Sequence, residues 1–327
     1  MAQQQILELK NICKNYPIND GFFSFKKNYF KALENVSFSL GYGETLGIVG
    51  ESGCGKSTLG KSILRLHNVS SGQIFFKGQD ITRWGFGQLR EIRPLMQMIF
   101  QDPYSSLNPR MNILKTLMEP LLVHKVAKKE ECYNRVVSLV KKVGLDEACL
   151  TKYPANFSGG QRQRIAIARA LCLSPELIVA DEPVSALDVS IQSQILNLLI
   201  DLRKEFGFSC LFISHDLAVI EYISDKVAVI YLGKIVEYAS KKSLFSNPKH
   251  PYTQMLLASV PKPSYQEKRE KRSFLDGDLN DKNSSLQGCS FYARCSKASH
   301  LCKEKEPELK EEGAIDQSHQ VSCHHVE

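Results

Sequence analysis

A glycine-rich run lies between an apolar stretch and a helical one near residue 50, and it restricts the chain to few folds. Gly50-Glu51-Ser52-Gly53-Cys54-Gly55-Lys56-Ser57-Thr58 fits the pattern G-x-x-x-x-G-K-[ST]. Glycines at these spacings let backbone N–H groups converge on phosphate oxygens, and a following helix adds the partial positive charge of its N-terminus. Lys56 is placed to reach β- and γ-phosphates, and the Ser57 hydroxyl to ligate Mg²⁺. Glu44–Gly50 reads as a buried strand and Lys56–Leu66 as a helix. A chance glycine turn would not need both flanks. The motif alone marks a nucleoside-triphosphate loop in an α/β protein.

A second acidic element reinforces this reading. Leu177-Ile-Val-Ala-Asp181-Glu182 is an apolar strand ending in two carboxylates, and ligands gather at the C-terminal ends of strands in α/β sheets. Asp181 is placed to hold the hydration shell of Mg²⁺. Glu182 is placed to orient or deprotonate an attacking water.

The remaining pattern fits a sheet with helices on both faces. Alternating residues at 6–10 and 35–40 predict edge-type strands, and 72–76, 96–100, 209–213 and 227–231 predict further strands. Helical periodicity spans 112–150, the residues after Gly160 to about Cys172, and 190–206. Tyr16-Pro17 precedes a basic and aromatic stretch, Gly21–Phe30. Apolar residues make up 43% and charged residues 24%, so the chain can bury an ordinary core. No stretch approaches the roughly 18–20 apolar residues that span a bilayer, and the N-terminus lacks a basic head with an apolar core. A cytoplasmic protein is expected, held at a membrane only by a partner. The net charge of +7 suits anionic lipid or nucleic acid and establishes neither.

Phe157-Ser158-Gly159-Gly160-Gln161-Arg162-Gln163-Arg164 narrows the class. It resembles the Leu-Ser-Gly-Gly-Gln signature of ABC ATPases, with Phe157 in place of the usual leucine. The resemblance covers roughly residues 5–262. It implies a P-loop NTPase of the ABC nucleotide-binding type: a mainly parallel α/β core, an antiparallel β subdomain, and a helical subdomain at about 102–157. It further implies that Ser158, Gly159, Gly160 and Gln161 cap the γ-phosphate of ATP bound to an opposite subunit. Gln101 matches the Q-loop, which touches Mg²⁺ or water. Ser185-Ala186-Leu187-Asp188 matches the D-loop at the dimer interface, and His215 the switch histidine on the γ-phosphate. Tyr16 matches the aromatic that stacks on adenine, with Tyr29 and Phe30 as neighbouring alternatives.

Three features resemble the oligopeptide/dipeptide importer branch. They are the long segment Pro17–Lys31, the run Asn247-Pro248-Lys249-His250-Pro251-Tyr252-Thr253, and a tail with Gly288-Cys289 through Arg294-Cys295, Cys302 and Cys323-His324. The tail best matches the F-type ATPase, which pairs with a D-type ATPase, two transmembrane permease subunits and a periplasmic or lipid-anchored solute-binding protein. The resemblance implies peptide uptake at the cytoplasmic face of the inner membrane, with no direct nucleic-acid partner. Nickel and glutathione importers share much of this extension. A soluble ABC ATPase acting on nucleic acid is a weaker alternative, because the chain has one nucleotide domain and no long coiled-coil insertion.

The extension is expected over 263–327, opening with a polar linker at Lys262–Ser285 and carrying the cysteine segment at 288–325. The four late cysteines are spaced Cys-x5-Cys-x6-Cys-x20-Cys and include no C-x-x-C knuckle. Spacing alone leaves free thiols, zinc and an iron–sulfur cluster open. The family resemblance favours a [4Fe–4S] cluster on Cys289, Cys295, Cys302 and Cys323. His319, His324 and His325 keep Zn²⁺ as the alternative. The six earlier cysteines read as buried thiols.

Overall fold

A computed structural model describes residues 4–18, 28–259, 288–311 and 319–326. The linker 262–285 and most of the basic-aromatic stretch lie outside these described residues. In chain order, β1 (Gln5–Ile18) and β2 (Asn28–Gly41) pair antiparallel, β3 (Thr45–Val49) enters the phosphate loop, and α1 (Lys56–Ile63) leaves it. Strands β4 (Ser71–Phe76) and β5 (Gln79–Asp80) complete an antiparallel sheet of order β2-β1-β4-β5. Helix α2 (Phe86–Ile92) leads to β6 (Met96–Ile99). Helices α3 (Pro103–Ser106), α4 (Ile113–Val123), α5 (Lys129–Lys142) and α6 (Gly159–Leu171) follow, then β7 (Leu177–Asp181) and α7 (Val189–Phe206). The core closes with β8 (Ser209–Ser214), α8 (Leu217–Ile223), β9 (Lys226–Tyr231), β10 (Lys234–Ser240), α9 (Lys241–Ser246) and α10 (Pro251–Ser259). The tail contributes α11 (His300–Glu304), β11 (Lys310–Glu311) and β12 (Gln320–Val321).

The second sheet has the order β11-β12-β10-β9-β3-β8-β7-β6. Pairs β9-β3, β3-β8, β8-β7 and β7-β6 are parallel. Strands β3, β7 and β8 are buried along their whole length, because helices cover both faces and continuous apolar runs such as Leu177–Ala180 suit that setting. The expected α/β core with its antiparallel β sheet and inserted helices is present. Between α3 and α6 the helical segment is not one run: α4 and α5 are separate helices, followed by a short turn at Glu147–Thr151. Leu117, Leu121, Val136 and Val140 of that pair join Ile165 and Leu171 of α6 in the main core.

Several boundaries differ from the sequence reading for identifiable reasons. β1 and β2 run far beyond 6–10 and 35–40, because register shifts lie inside them. Asn11 and Asn35 take left-handed backbone angles, φ 50° and 51°, which interrupt side-chain alternation without ending the pairing. α1 stops at Ile63, short of Leu66. Arg65 is left-handed at φ 53°, and the N–H of Leu66 closes on the Lys61 carbonyl at 2.9 Å, the helix-ending geometry that glycine usually signals.

The tail is not a free appendage. β12 adds antiparallel to β10, so the chain's end extends the core sheet. Beneath it, Glu237 is fully buried and accepts from the N–H groups of Lys249 and His250 at 2.8 and 3.0 Å. His319 Nε2 lies 2.7 Å from the same carboxylate, and its Nδ1 lies 2.9 Å from the Ser243 hydroxyl. Burial alone would raise the Glu237 pKa, but these hydrogen bonds outweigh it and hold it below the ordinary 4.5. The stability this carboxylate contributes is therefore present at neutral pH and lost as pH falls through the carboxylate range. His319→Ala is expected to cost about 3 kcal/mol, because it leaves a buried carboxylate without its imidazole partner. Urea unfolding of the full chain at pH 7 measures this, and an unchanged midpoint would count against the pairing as a stabilising contact.

Candidate functional site

The parallel strands deliver the candidate residues to one edge. β3 ends one residue before Gly50, β7 ends at Asp181, β8 ends one residue before His215, and β6 ends two residues before Gln101. An open cleft of about 890 Å³ lies there, lined by Gly50, Glu51, Ser52, Gly53, Gly55, Lys56, Ser57 and Thr58 of the loop and by Gln101, Glu182 and His215. The loop sits close against the antiparallel sheet. Gly55 has φ 108°, and a Cβ there would meet the Ala32 carbonyl at 2.4 Å, so only glycine fits.

Inside the loop the Lys56 ammonium is buried and donates to the carbonyls of Gly50 and Glu51 at 2.7 and 2.9 Å. The Ser57 hydroxyl donates to Asp181 Oδ1 at 2.9 Å. Burial raises the Asp181 pKa, while the Ser57 bond and the charges of Lys61 and Lys56 work against that rise. A serine hydroxyl oxygen beside a buried carboxylate oxygen is a pair of hard donors that suits a small divalent cation.

Glu182 takes a left-handed φ of 46°, a conformation that is strained for a glutamate and that concentrates at functional sites. Its backbone N–H donates to the Ile213 carbonyl at 2.9 Å. Its Oε2 accepts from Gln101 Nε2 at 3.2 Å and lies 3.2 Å from His215 Nδ1. Three residues from three strand ends thus meet at one carboxylate oxygen. The arrangement can hold a water against a phosphate and take its proton.

Other candidates lie outside the cleft. Ser158, Gly159 and Gln161 are exposed. Ser158 caps α6: its hydroxyl accepts from the Gln161 N–H at 3.3 Å, and its own N–H donates to Gln161 Oε1 at 3.0 Å. Gly160 is required by packing, since a Cβ would come within 2.6 Å of Ile191 Cγ2 in α7. Exposed Asp188 is the N-cap residue of α7. Earlier in the same loop Ser185 and Ala186 do line the cleft, and a Cβ at Gly159 would come within 3.3 Å of Leu187 Cδ2, so the loop runs from the cleft to the signature turn. Cys54 of the loop is buried, and burial raises its thiol pKa.

Tyr16 does not line the cleft. Its ring packs edge-on to His67 at 6.2 Å, with the Lys14 ammonium 4.8 Å above it. Phe30, its register partner on β2, does line the cleft. Ala32, Asp102 and Leu256 also line it and were not singled out from sequence. Only Asp102 had a signal, its place beside Gln101.

In the tail, Cys302 is buried and Cys289, Cys295 and Cys323 are half-buried, all as free thiols. Burial pushes Cys289 up to about 11, with further contributions from Cys302, Cys295 and Cys323. Cys323 rises for the same reasons, burial first and then Cys295 and Cys302. Among the described residues, however, no three histidine, cysteine or acidic side chains are grouped closely enough to hold a metal ion. Both ring nitrogens of His319 are engaged, as above, and Nε2 of His324 and of His325 lie 2.9 and 2.8 Å from the Lys305 carbonyl and the Ser299 hydroxyl. These contacts weaken the zinc alternative.

The family model described as "ABC transporter" matches residues 33–185, and that described as "Oligopeptide/dipeptide transporter, C-terminal region" matches residues 236–302. The chain is 51% identical over 325 residues to the oligopeptide transport ATP-binding protein AppF of Bacillus subtilis, covering 98% of each. It is 45% identical over 311 residues to the dipeptide transport ATP-binding protein DppF of Escherichia coli, covering 95% of this chain and 92% of the relative. Among solved structures, the dimeric ATP-binding cassette MJ0796, bound to ADP and Pi in a post-hydrolysis state, superposes with a TM-score of 0.65 at 29% identity, over 72% of this chain and 98% of that one. The chain belongs to the ABC transporter family, in its branch of oligopeptide and dipeptide transport ATP-binding proteins.

Proposed function

We propose that this chain binds and hydrolyses ATP to drive uptake of dipeptides and oligopeptides through a membrane complex. One observation carries the reading: the phosphate loop and the Gln101–Glu182–His215 cluster line one cleft, and Asp181 stands behind it, hydrogen-bonded to the cleft-lining Ser57. The loop N–H groups, Lys56 and the α1 N-terminus receive the phosphates. Ser57, Gln101 and Asp181 would hold Mg²⁺, which when bound neutralises phosphate charge. Glu182 orients and deprotonates the attacking water, and His215 contacts the γ-phosphate. Phe30, with Tyr16 opposite it, offers the aromatic edge for adenine. The catalysis is positioning and charge neutralisation.

The exposed Ser158–Gln161 turn and Asp188 stand apart from this chain's own cleft. The reading assigns them to the nucleotide of a second ATPase subunit, a D-type partner in a heterodimer. ATP then joins the two subunits head to tail, and hydrolysis releases them. Among the described residues no helix is long and apolar enough to cross a membrane, so two permease subunits would supply the path and a solute-binding protein the peptide. The subunit would sit peripherally on the cytoplasmic face of the inner membrane. Relatives named for oligopeptides and dipeptides favour these cargoes over nickel or glutathione.

The tail thiols support a finer reading, a [4Fe–4S] cluster on Cys289, Cys295, Cys302 and Cys323 rather than Zn²⁺. Its support is the donor chemistry of four free thiols in the tail segment. Among the described residues these thiols are not grouped closely enough to hold a metal ion, so the cluster requires them to draw together. Iron and acid-labile sulfide in anaerobically purified protein are expected near stoichiometry with the cluster, and stoichiometric zinc without iron contradicts it.

Two substitutions test the ATP site. Lys56→Ala is expected to weaken ATP binding by at least ~10-fold, about 1.4 kcal/mol. Glu182→Gln is expected to bind ATP yet lose ~10²–10⁴-fold in turnover within the assembled complex, the range for a general base. Equilibrium nucleotide binding and phosphate release read these effects, and wild-type turnover by Glu182→Gln would exclude the role given to that carboxylate.

A further inference from the structure

Glu51 is an acidic residue on a loop that must receive a polyphosphate. It lines the cleft immediately after Gly50. An ionised, uncompensated carboxylate there would repel the anion that the rest of the loop attracts. The compensation comes from 243 residues away. Arg294 of the tail donates from Nη1 to Glu51 Oε2 at 2.9 Å and from Nη2 to Oε1 at 2.8 Å. This is a two-pronged pairing that fixes both charge and direction. Both side chains are largely withdrawn from solvent, at 17% and 24% exposure, where such a pair is weakly screened.

The surroundings hold the arginine in place. Its guanidinium lies 5.9 Å from the rings of both Tyr231 and Phe291. Phe291 and the fully buried Tyr252 pack at 5.5 Å, and Tyr252 packs on Tyr231 at 4.7 Å. The Tyr252 hydroxyl accepts from the Glu51 backbone N–H at 2.9 Å. Both the side chain and the backbone of Glu51 are therefore gripped by residues outside the phosphate loop, and Arg294 stands directly before Cys295 in the cysteine segment.

We propose that Arg294 is a positioning residue of the nucleotide site: it neutralises Glu51 and fixes that carboxylate on the tail side of the loop, so that the tail sets the loop's affinity for ATP. The inference rests on the reading of the cleft as an ATP site. It gives the tail a part in nucleotide binding rather than in protein stability alone.

The test uses the full chain for Mg-ATP binding and the assembled complex for steady-state turnover. Arg294→Ala is expected to raise the Kd and KM for ATP ~10-fold and to leave kcat within about twofold, because one charge-assisted pair is lost while Glu182, Gln101 and His215 are untouched. Adding Glu51→Gln to Arg294→Ala removes the uncompensated charge and is expected to restore binding to within about threefold of wild type. A clamp that acted only by shape would not be rescued in this way. Arg294→Gln is shorter but keeps the Cβ–Cγ stem and a polar end while removing the charge, so it carries the test should alanine abolish the thermal unfolding transition; it is expected to weaken binding to a similar extent. Wild-type affinity in Arg294→Gln, or a double variant as weak as Arg294→Ala, overturns the proposal. Wild-type protein that binds no Mg-ATP overturns the ATP-site reading together with this inference.

Discussion

Parallel hydrogen bonding of four adjacent strands is the constraint on which the site depends. In the order β3-β8-β7-β6 each strand runs the same way, so the residues that follow their C-terminal ends must gather along one edge. The phosphate loop, His215, Glu182 and Gln101 come from segments far apart in sequence and meet for this reason. The strands have to be buried on both faces to pair in this way, and the unbroken apolar runs of β3, β7 and β8 meet that requirement. A carboxylate at the end of such a strand is poorly hydrated, which raises Asp181. The same location makes its pairing with Ser57 a natural cation site.

The far edge of that sheet has a different task. β10 and β12 join the tail to the core, and the Glu237–His319–Ser243 network ties the joint beneath them. From there the chain reaches the phosphate loop through the Tyr231, Tyr252 and Phe291 rings and through Arg294. The loop is thus bounded by the antiparallel sheet at Ala32, by α1 at Lys56, and by the tail at Glu51. A tail with this contact is placed to feel the loop and to influence it.

The candidate nucleotide site was legible in the sequence because its parts are short and local. Gly50–Thr58, Asp181-Glu182 and Ser158–Gln161 each carry their chemistry within a few residues, and the sheet order then brings the first two together. Features made by distant residues were not legible. The pairs Glu51–Arg294 and Glu237–His319 join positions 243 and 82 residues apart, and no local pattern announces either pairing: Glu51 stands at a variable position of the phosphate-loop motif. Two-residue strands such as β12 leave no periodicity to read. The full length of β1 and β2 was hidden by left-handed Asn11 and Asn35, which break alternation inside a continuous ladder. Tyr16 shows the limit of motif transfer: the ladder sets it opposite Phe30, yet only Phe30 lines the cleft.

Coupling of this subunit's ATP hydrolysis to peptide uptake is the central claim, and one measurement reaches it directly. The chain would be assembled with its second ATPase and permease subunits in sealed vesicles, with peptide-loaded binding protein on the side opposite the ATPases. Peptide accumulation and phosphate release would be followed together. The account predicts that peptide enters only when Mg-ATP is present on the ATPase side, and that phosphate release rises with peptide-loaded binding protein. Uptake independent of ATP, or hydrolysis that responds to nucleic acid and not to peptide-loaded binding protein, would contradict it.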